Sequence, residues 1–159
     1  MSAAVHVRFV TRGDYAQWLP FWEGYNEFYK RFGATALPDG VTQTTWARFL
    51  DTQKTDAYGP MFAMVAEADG QLVGLVHYLF HRSTITIEPT CYLQDLFTAE
   101  AARGKGVGRA LIEAVYEQAR LAGVVQVYWR THATNATARR LYDQVAEESG
   151  SLVYKKRLA

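Results

Sequence analysis

At 159 residues the chain has the length of one globular domain. Its 49% apolar and 21% charged residues exclude wholesale disorder and suffice for a core without disulfides or metals. Seventeen Lys and Arg against sixteen Asp and Glu leave a net charge of +1, which argues against a dedicated nucleic-acid binder, because such a domain carries a basic patch or stripe.

In chain order, residues 5–10 alternate Val5, Val7 and Phe9 with His6 and Arg8, the period of a half-buried strand. The residues before it lack the long apolar region of a signal peptide. No later run approaches the roughly 18 apolar residues of a membrane helix, so the expected setting is the cytoplasm, with no membrane partner. Thr11, followed three residues later by Asp14, reads as a helix start with Thr11 as N-cap. Aromatic residues are 14% of the chain, and eight of them crowd the next segment. There Tyr15, Trp18, Trp22, Tyr25 and Tyr29 recur at helical intervals, with Phe21, Phe28 and Phe32 beside them. Pro20 lacks an N–H and crowds the preceding turn, which predicts two short helices or one kinked helix. Pro38 and Asp39-Gly40 mark a loop over 33–40, and Trp46, Phe49 and Leu50 a helix over 42–52.

The period then changes. A strand over 61–68, a hairpin turn at Asp69-Gly70 and a partner strand over 72–80 follow. His77 and His81 share one face of that strand, but no third residue at ligand spacing joins them, so both are expected as ordinary polar positions and no metal site is predicted. The strand over 88–97 holds the single cysteine, Cys91, which excludes an internal disulfide and a Cys-rich zinc site and is expected as a small core hydrophobe. Leu111, Ile112, Val115 and Ala119 define a helix over 106–122, stopped by Gly123. A strand over 124–129, a helix over 135–147 and a final strand over 151–156 complete an α/β (α+β) pattern: one domain over residues 1–159 with a mixed sheet and helices on both faces.

The informative stretch lies where the strand ending at Phe97 runs into a loop with Gly104, Gly106 and Gly108 at the opening of a helix. Backbone N–H groups without partners and the positive end of the helix dipole make an anion site there. Arg103, Lys105 and Arg109 add charge. Glycine is about 1 kcal/mol worse than alanine inside a helix, so three in five residues point to a bound ligand. A Walker A loop requires Gly-Lys followed by Ser or Thr, whereas Gly104-Lys105 is followed by Gly106. A dinucleotide fingerprint requires G-x-G-x-x-G after an early strand of a parallel unit, whereas this loop reads G-x-G-x-G after an antiparallel run. Both fail on spacing and on context.

Arg103-Gly-Lys-Gly-Val-Gly108 resembles the (Gln/Arg)-x-x-Gly-x-(Gly/Ala) acetyl-CoA loop of the GCN5-related N-acetyltransferases. Asn135, Ala138 and Tyr142 resemble that family's second motif, Asn-x-x-Ala-x-x-x-Tyr, and the strand order fits over nearly the whole chain. Tyr92-Leu-Gln-Asp-Leu-Phe97 is similar to the diamine and polyamine acetyltransferases and to the yeast histone and D-amino-acid acetyltransferase group. The aromatic first helix is similar to the yeast branch. The polyamine enzymes carry a Glu where this sequence has Gln94, a departure that points away from polyamines.

The resemblance implies a mostly antiparallel central sheet of six to seven strands and acetyl-CoA as co-substrate, with no metal. Leu96, Phe97 and Thr98 would bond the pantetheine through their backbone. Arg103, Gly104, Lys105, Gly106, Val107, Gly108 and Arg109 would hold the pyrophosphate, with Asn135 and Ala138 beside the pantetheine. The implied acceptor is a small primary amine (amino acid, diamine or polyamine-like) attacking directly in a ternary complex. Trp22, Tyr25, Tyr29 and Gln94 would line its pocket, the aromatics by cation–π contact. The alternatives are a protein lysine or N-terminus, or an acyl-CoA-binding regulatory module without turnover. An alkylamine with a pKa of about 10.4 is almost wholly protonated at pH 7, so a group must accept its proton. Asp95 is the nearest ionisable residue, set by strand alternation on the face opposite Gln94 and Leu96, and His132 is a second candidate. Tyr142 is expected to hydrogen-bond the departing sulfur. The final strand reads either as an edge strand protected by its charges or as a strand paired across a dimer, and the resemblance implies the homodimer.

Overall fold

The alternating segments pair into one five-stranded sheet in the computed structural model, which describes residues 4–53 and 56–158. β1 (His6–Phe9), β2 (Met61–Ala68), β3 (Gln71–His81) and β4 (Thr90–Thr98) run antiparallel in chain order. β5 (Val127–Tyr128) joins β4 in parallel. The mixed sheet agrees with expectation, but it has five strands and not six to seven. Residues 151–156, expected as the last strand, take no regular structure, and Leu152 and Tyr154 are exposed. A strand forms only against a neighbour that completes its ladder, and β5, at the edge of the sheet, offers two residues.

Helices cover both faces. α1 (Tyr15–Phe28) and α2 (Val41–Leu50) lie on one of them, where Trp18, Trp22, Tyr25, Trp46 and Phe49 pack on Val65, Leu72 and Leu75. α1 runs unbroken through Pro20. Of the two alternatives that the proline offered, the chain takes the single helix and not two short ones, because its aromatic stripe is buried along its length and tertiary packing outweighs one lost hydrogen bond. Trp18 is fully buried, with its ring 4.7 Å from Trp46 and 5.8 Å from Trp22; aromatic pairs of this kind are worth about 0.5–1.5 kcal/mol beyond their area. α3 (Val107–Leu121) and α4 (Ala136–Val145) cover the other face, where Leu111, Ile112 and Val115 meet Met64, Val76, Tyr78, Cys91 and Leu93. Burial pushes the Cys91 thiol up to about 12, as befits an inert core residue.

Two irregularities of β4 open the sheet. His77 pairs with Asp95 and Tyr78 with Leu93, so Gln94 is the extra residue of a β-bulge. The pairing of β4 with β5 also extends only over Cys91–Val127 and Tyr92–Tyr128. From Leu93 to Thr98 the edge of β4 turned away from β3 has no strand beside it among the described residues.

Candidate active site

The glycine loop sits at the end of that open edge. Gly104 and Gly106 have φ of +76° and +81°, the left-handed region, and a Cβ at either would meet nothing within 4 Å. Both therefore shape the turn and leave its outer surface open. Gly108 differs: a Cβ there would stand 3.1 Å from Leu141 Cδ2, so this glycine serves the packing of α3 on α4. The first bond of α3 runs from Ala110 N–H to Gly106 C=O, leaving the amides of Val107, Gly108 and Arg109 without backbone partners among the described residues. The basic residues part ways. Arg103 lies over the Phe97 ring at 6.0 Å, Lys105 is exposed, and Arg109 is tied to Gln144 of α4.

Across the opening stands the N-terminus of α4. Asn135 occupies its N-cap position and donates Nδ2–H to Thr131 Oγ1 at 3.2 Å. Ala138 and Tyr142 are half-buried one and two turns on. The Tyr142 ring meets Trp129 edge-on at 5.4 Å. Burial first, and then the nearby Tyr29 phenol, push Tyr142 up to about 12. Tyr29 also contacts the exposed His132, with ring centroids 5.5 Å apart.

The bulge settles which side chains share a face. Asp95 lies on the α1 face with Phe97, opposite Leu96, as alternation predicts. The expected opposition of Gln94 to Asp95 fails, because the extra residue shifts the phase by one. Gln94 is exposed, and its carbonyl accepts from the Tyr25 hydroxyl at 3.4 Å. Asp95 is buried, and its Oδ2 lies 2.8 Å from His77 Nδ1. Trp18 Nε1–H donates to His77 Nε2 at 3.0 Å. Indole N–H only donates, so Nε2 must accept, and the ring is the Nδ1–H tautomer donating to the carboxylate. His77 is thus no ordinary polar position: it is fully buried among Trp18, Trp22 and Phe49. Sequence reasoning missed it because the register that sets it beside Asp95 depends on the bulge.

Of the three aromatics expected to wall a pocket, Trp22 lies in the core, its Nε1–H held by Thr42 Oγ1 at 3.1 Å. Tyr25 is buried too, and Tyr29 is half-buried against it at 4.9 Å. Burial raises both phenols and the Asp95 charge adds to each, while the Arg31 guanidinium opposes the rise. Among the described residues no group of His, Cys, Asp or Glu could hold a metal ion, and no helix is long and apolar enough to cross a membrane.

A family model described as the acetyltransferase (GNAT) family matches residues 20–146. The chain is 37% identical over 150 residues to the D-amino-acid N-acetyltransferase HPA3 of Saccharomyces cerevisiae, covering 94% of this chain and 89% of that protein. It is 27% identical over 152 residues to the uncharacterized N-acetyltransferase YhfO of Bacillus subtilis, covering 94% and 95%. Among solved structures, the aminoglycoside N-acetyltransferase AAC(6')-Iy in complex with CoA shares the fold. The TM-score is 0.78 at 15% identity, over 100% of this chain and 98% of that one.

Proposed function

The chain belongs to the acetyltransferase (GNAT) family and is an N-acetyltransferase, and from that premise we propose that it moves an acetyl group from acetyl-CoA directly to the primary amine of a small molecule. The observation that carries the proposal is the parting of β4 from β5 after Tyr92, between the glycine loop and the Tyr25–Tyr29–Asp95 group. The open amides and left-handed glycines at the start of α3 suit a pyrophosphate. In this reading Gly104, Lys105, Gly106, Val107 and Gly108 cradle the phosphates with Arg103 beside them. The open backbone of Leu96, Phe97 and Thr98 holds the pantetheine, with Asn135 and Ala138 on its other side. Arg109 contributes only by leaving Gln144.

Acetyl-CoA, when bound, supplies an activated acyl carbon. The protein's task is to deliver an amine to it and ease the departure of the thiolate. Asp95 draws the cationic amine in and accepts, directly or through water, the proton that the amine must lose before it attacks. Tyr142 donates a hydrogen bond to the sulfur as charge develops there. The small-molecule acceptor is supported by the relative acting on D-amino acids, and the neutral, exposed Gln94 continues to disfavour polyamines. We place the enzyme in the cytoplasm as a single domain and a homodimer, the exposed segment 151–158 being the part available to a second copy.

Thiol release from acetyl-CoA across amino acids, diamines, polyamines and lysine-containing peptides tests the proposal. Turnover with small amines and little with peptides is the expected result. Turnover with peptides alone moves the acceptor to protein, and CoA binding without release from any amine leaves a regulatory module.

A further inference from the structure

Three buried side chains on the α1 face, Trp18, His77 and Asn26, carry polar atoms that lead to charged groups. Trp18 and His77 form a chain that ends on Asp95 Oδ2, with links of 3.0 Å and 2.8 Å. The third, Asn26, donates Nδ2–H to the Trp22 carbonyl at 2.8 Å and accepts Arg31 Nη1–H on Oδ1 at 2.9 Å. His77 is 2% and Asn26 6% exposed. A polar group buried this deeply is retained at a cost unless every bond is made, and each of these makes its bonds by aiming one charged side chain. His77 aims an anion and Asn26 a cation.

Both charges converge on the same two rings. The Arg31 guanidinium stands 5.6 Å from the Tyr25 centroid and 5.3 Å from that of Tyr29. The other end of Tyr25, its hydroxyl, reaches the bulge that carries Asp95. Each phenol is subject to Asp95 in one direction and Arg31 in the other. Asp95 lies buried between His77 and the Tyr25 phenol, and Arg31 has no carboxylate within ion-pair distance among the described residues. An anion beside the Tyr25 hydroxyl and a cation over the same ring, held by separate supports and not paired with each other, set their charges in the order that a ligand with an ammonium and a carboxylate would match.

We propose that the acceptor pocket is a two-pole receptor for a free α-amino acid, with Asp95 taking the ammonium, Arg31 taking the carboxylate, and Trp18–His77 and Asn26 as the positioning residues behind them. The inference rests on the acetyl-transfer reading above and adds the residues that select the acceptor. A planar guanidinium matches a carboxylate with two parallel N–H bonds, which a lysine could not offer. The Tyr25–Tyr29 pair accommodates the cationic end.

Matched acceptors test it: D- and L-phenylalanine, their amides, and phenethylamine, which lacks the carboxylate altogether. For the wild type, kcat/KM for one phenylalanine enantiomer should exceed that for phenethylamine and for the amide by tenfold or more. Arg31→Leu should lower that ratio at least tenfold, mainly through KM for the acid, and Arg31→Lys should give an intermediate ratio. His77→Leu should raise KM for acid and amine alike without moving their ratio, while CoA still raises the melting temperature. His77→Asn, which retains an N–H donor, should restore part of the loss. A wild-type ratio near one overturns the proposal whether or not the variants fold, and so does a ratio that a folded Arg31→Leu or Arg31→Lys leaves unmoved. Failure of every amine while CoA binds overturns the transfer reading instead, so the two failures are distinct.

Discussion

The Tyr142 phenol is pushed up to about 12, chiefly by burial, the wrong direction for an acid that must hand its proton to a thiolate of about 8.5. Complete transfer would be uphill by roughly 5 kcal/mol. A hydrogen bond to sulfur strengthens as the charge builds and requires no transfer, so it lowers the barrier without lowering the ground state. Tyr142→Phe should therefore reduce kcat tenfold or more while the Kd for CoA changes less than twofold. No limb of the pH–rate profile below pH 10 should disappear with the mutation. An unchanged kcat would remove Tyr142 from the chemistry. As candidates, Tyr142 and Asp95 were legible in the sequence, one through a spaced motif and the other as the nearest ionisable residue on a central strand. His77, Asn26 and Arg31 were not, because the contacts that make them candidates come from neighbours that only the fold supplies.

Among the elements, the join between β1 and α1 depends on one carboxylate. Asp14 accepts from Arg8 Nη1 and Nη2 at 2.8 and 2.9 Å and from the Thr11 amide at 2.7 Å, while Arg8 also reaches Glu67 on β2. Thr11 and Asp14 were expected to start the helix. They close a 3-10 turn before it, and the bond runs chiefly from the Thr11 backbone to the Asp14 side chain. The Arg8 hydrogen bonds hold the Asp14 carboxyl below the usual carboxylate range, against the opposing effect of burial. A carboxyl depressed in the folded state stabilises the protein above its unfolded pKa, near 3.9, and loses that contribution as pH falls through the folded value. Urea unfolding from pH 7 down to pH 2 should show the loss setting in below about pH 4. Asp14→Asn should lower stability at pH 7 by roughly 2 kcal/mol and flatten that decline; an equally steep decline in the variant would place its origin elsewhere. At this scale periodicity located nearly every strand and helix. It overran β5 and predicted a terminal strand because hydrophobic alternation reports which residues can pair, and not whether an edge exists to pair with.

For the whole molecule, the two faces of the sheet divide the work. The α1–α2 face takes six of the eight aromatics crowded into residues 15–32 into or against its core, with Trp18, Trp22 and Trp46 buried. In the proposed reading its outer end supplies Tyr25, Tyr29, Asp95 and Arg31 for the acceptor. The α3–α4 face supplies the glycine loop and Tyr142. They come together where β4 and β5 part, with Tyr29 against His132 at 5.5 Å, so a ligand spanning the gap would bond to elements of both faces. Such a ligand binds the folded state and not the unfolded chain, and at 100 times its Kd it adds about 2.7 kcal/mol of stability. With an unfolding entropy of about 2.1 cal/mol/K per residue, a chain of 159 residues should melt roughly 8 °C higher in saturating CoA. Adenosine alone, without the pyrophosphate and pantetheine, should produce a much smaller shift. No shift with CoA would mean that the open amides of α3 hold some other anion. A full shift in Gly106→Asp, which sets a carboxylate at the left-handed glycine before α3, would mean that CoA binds away from the loop.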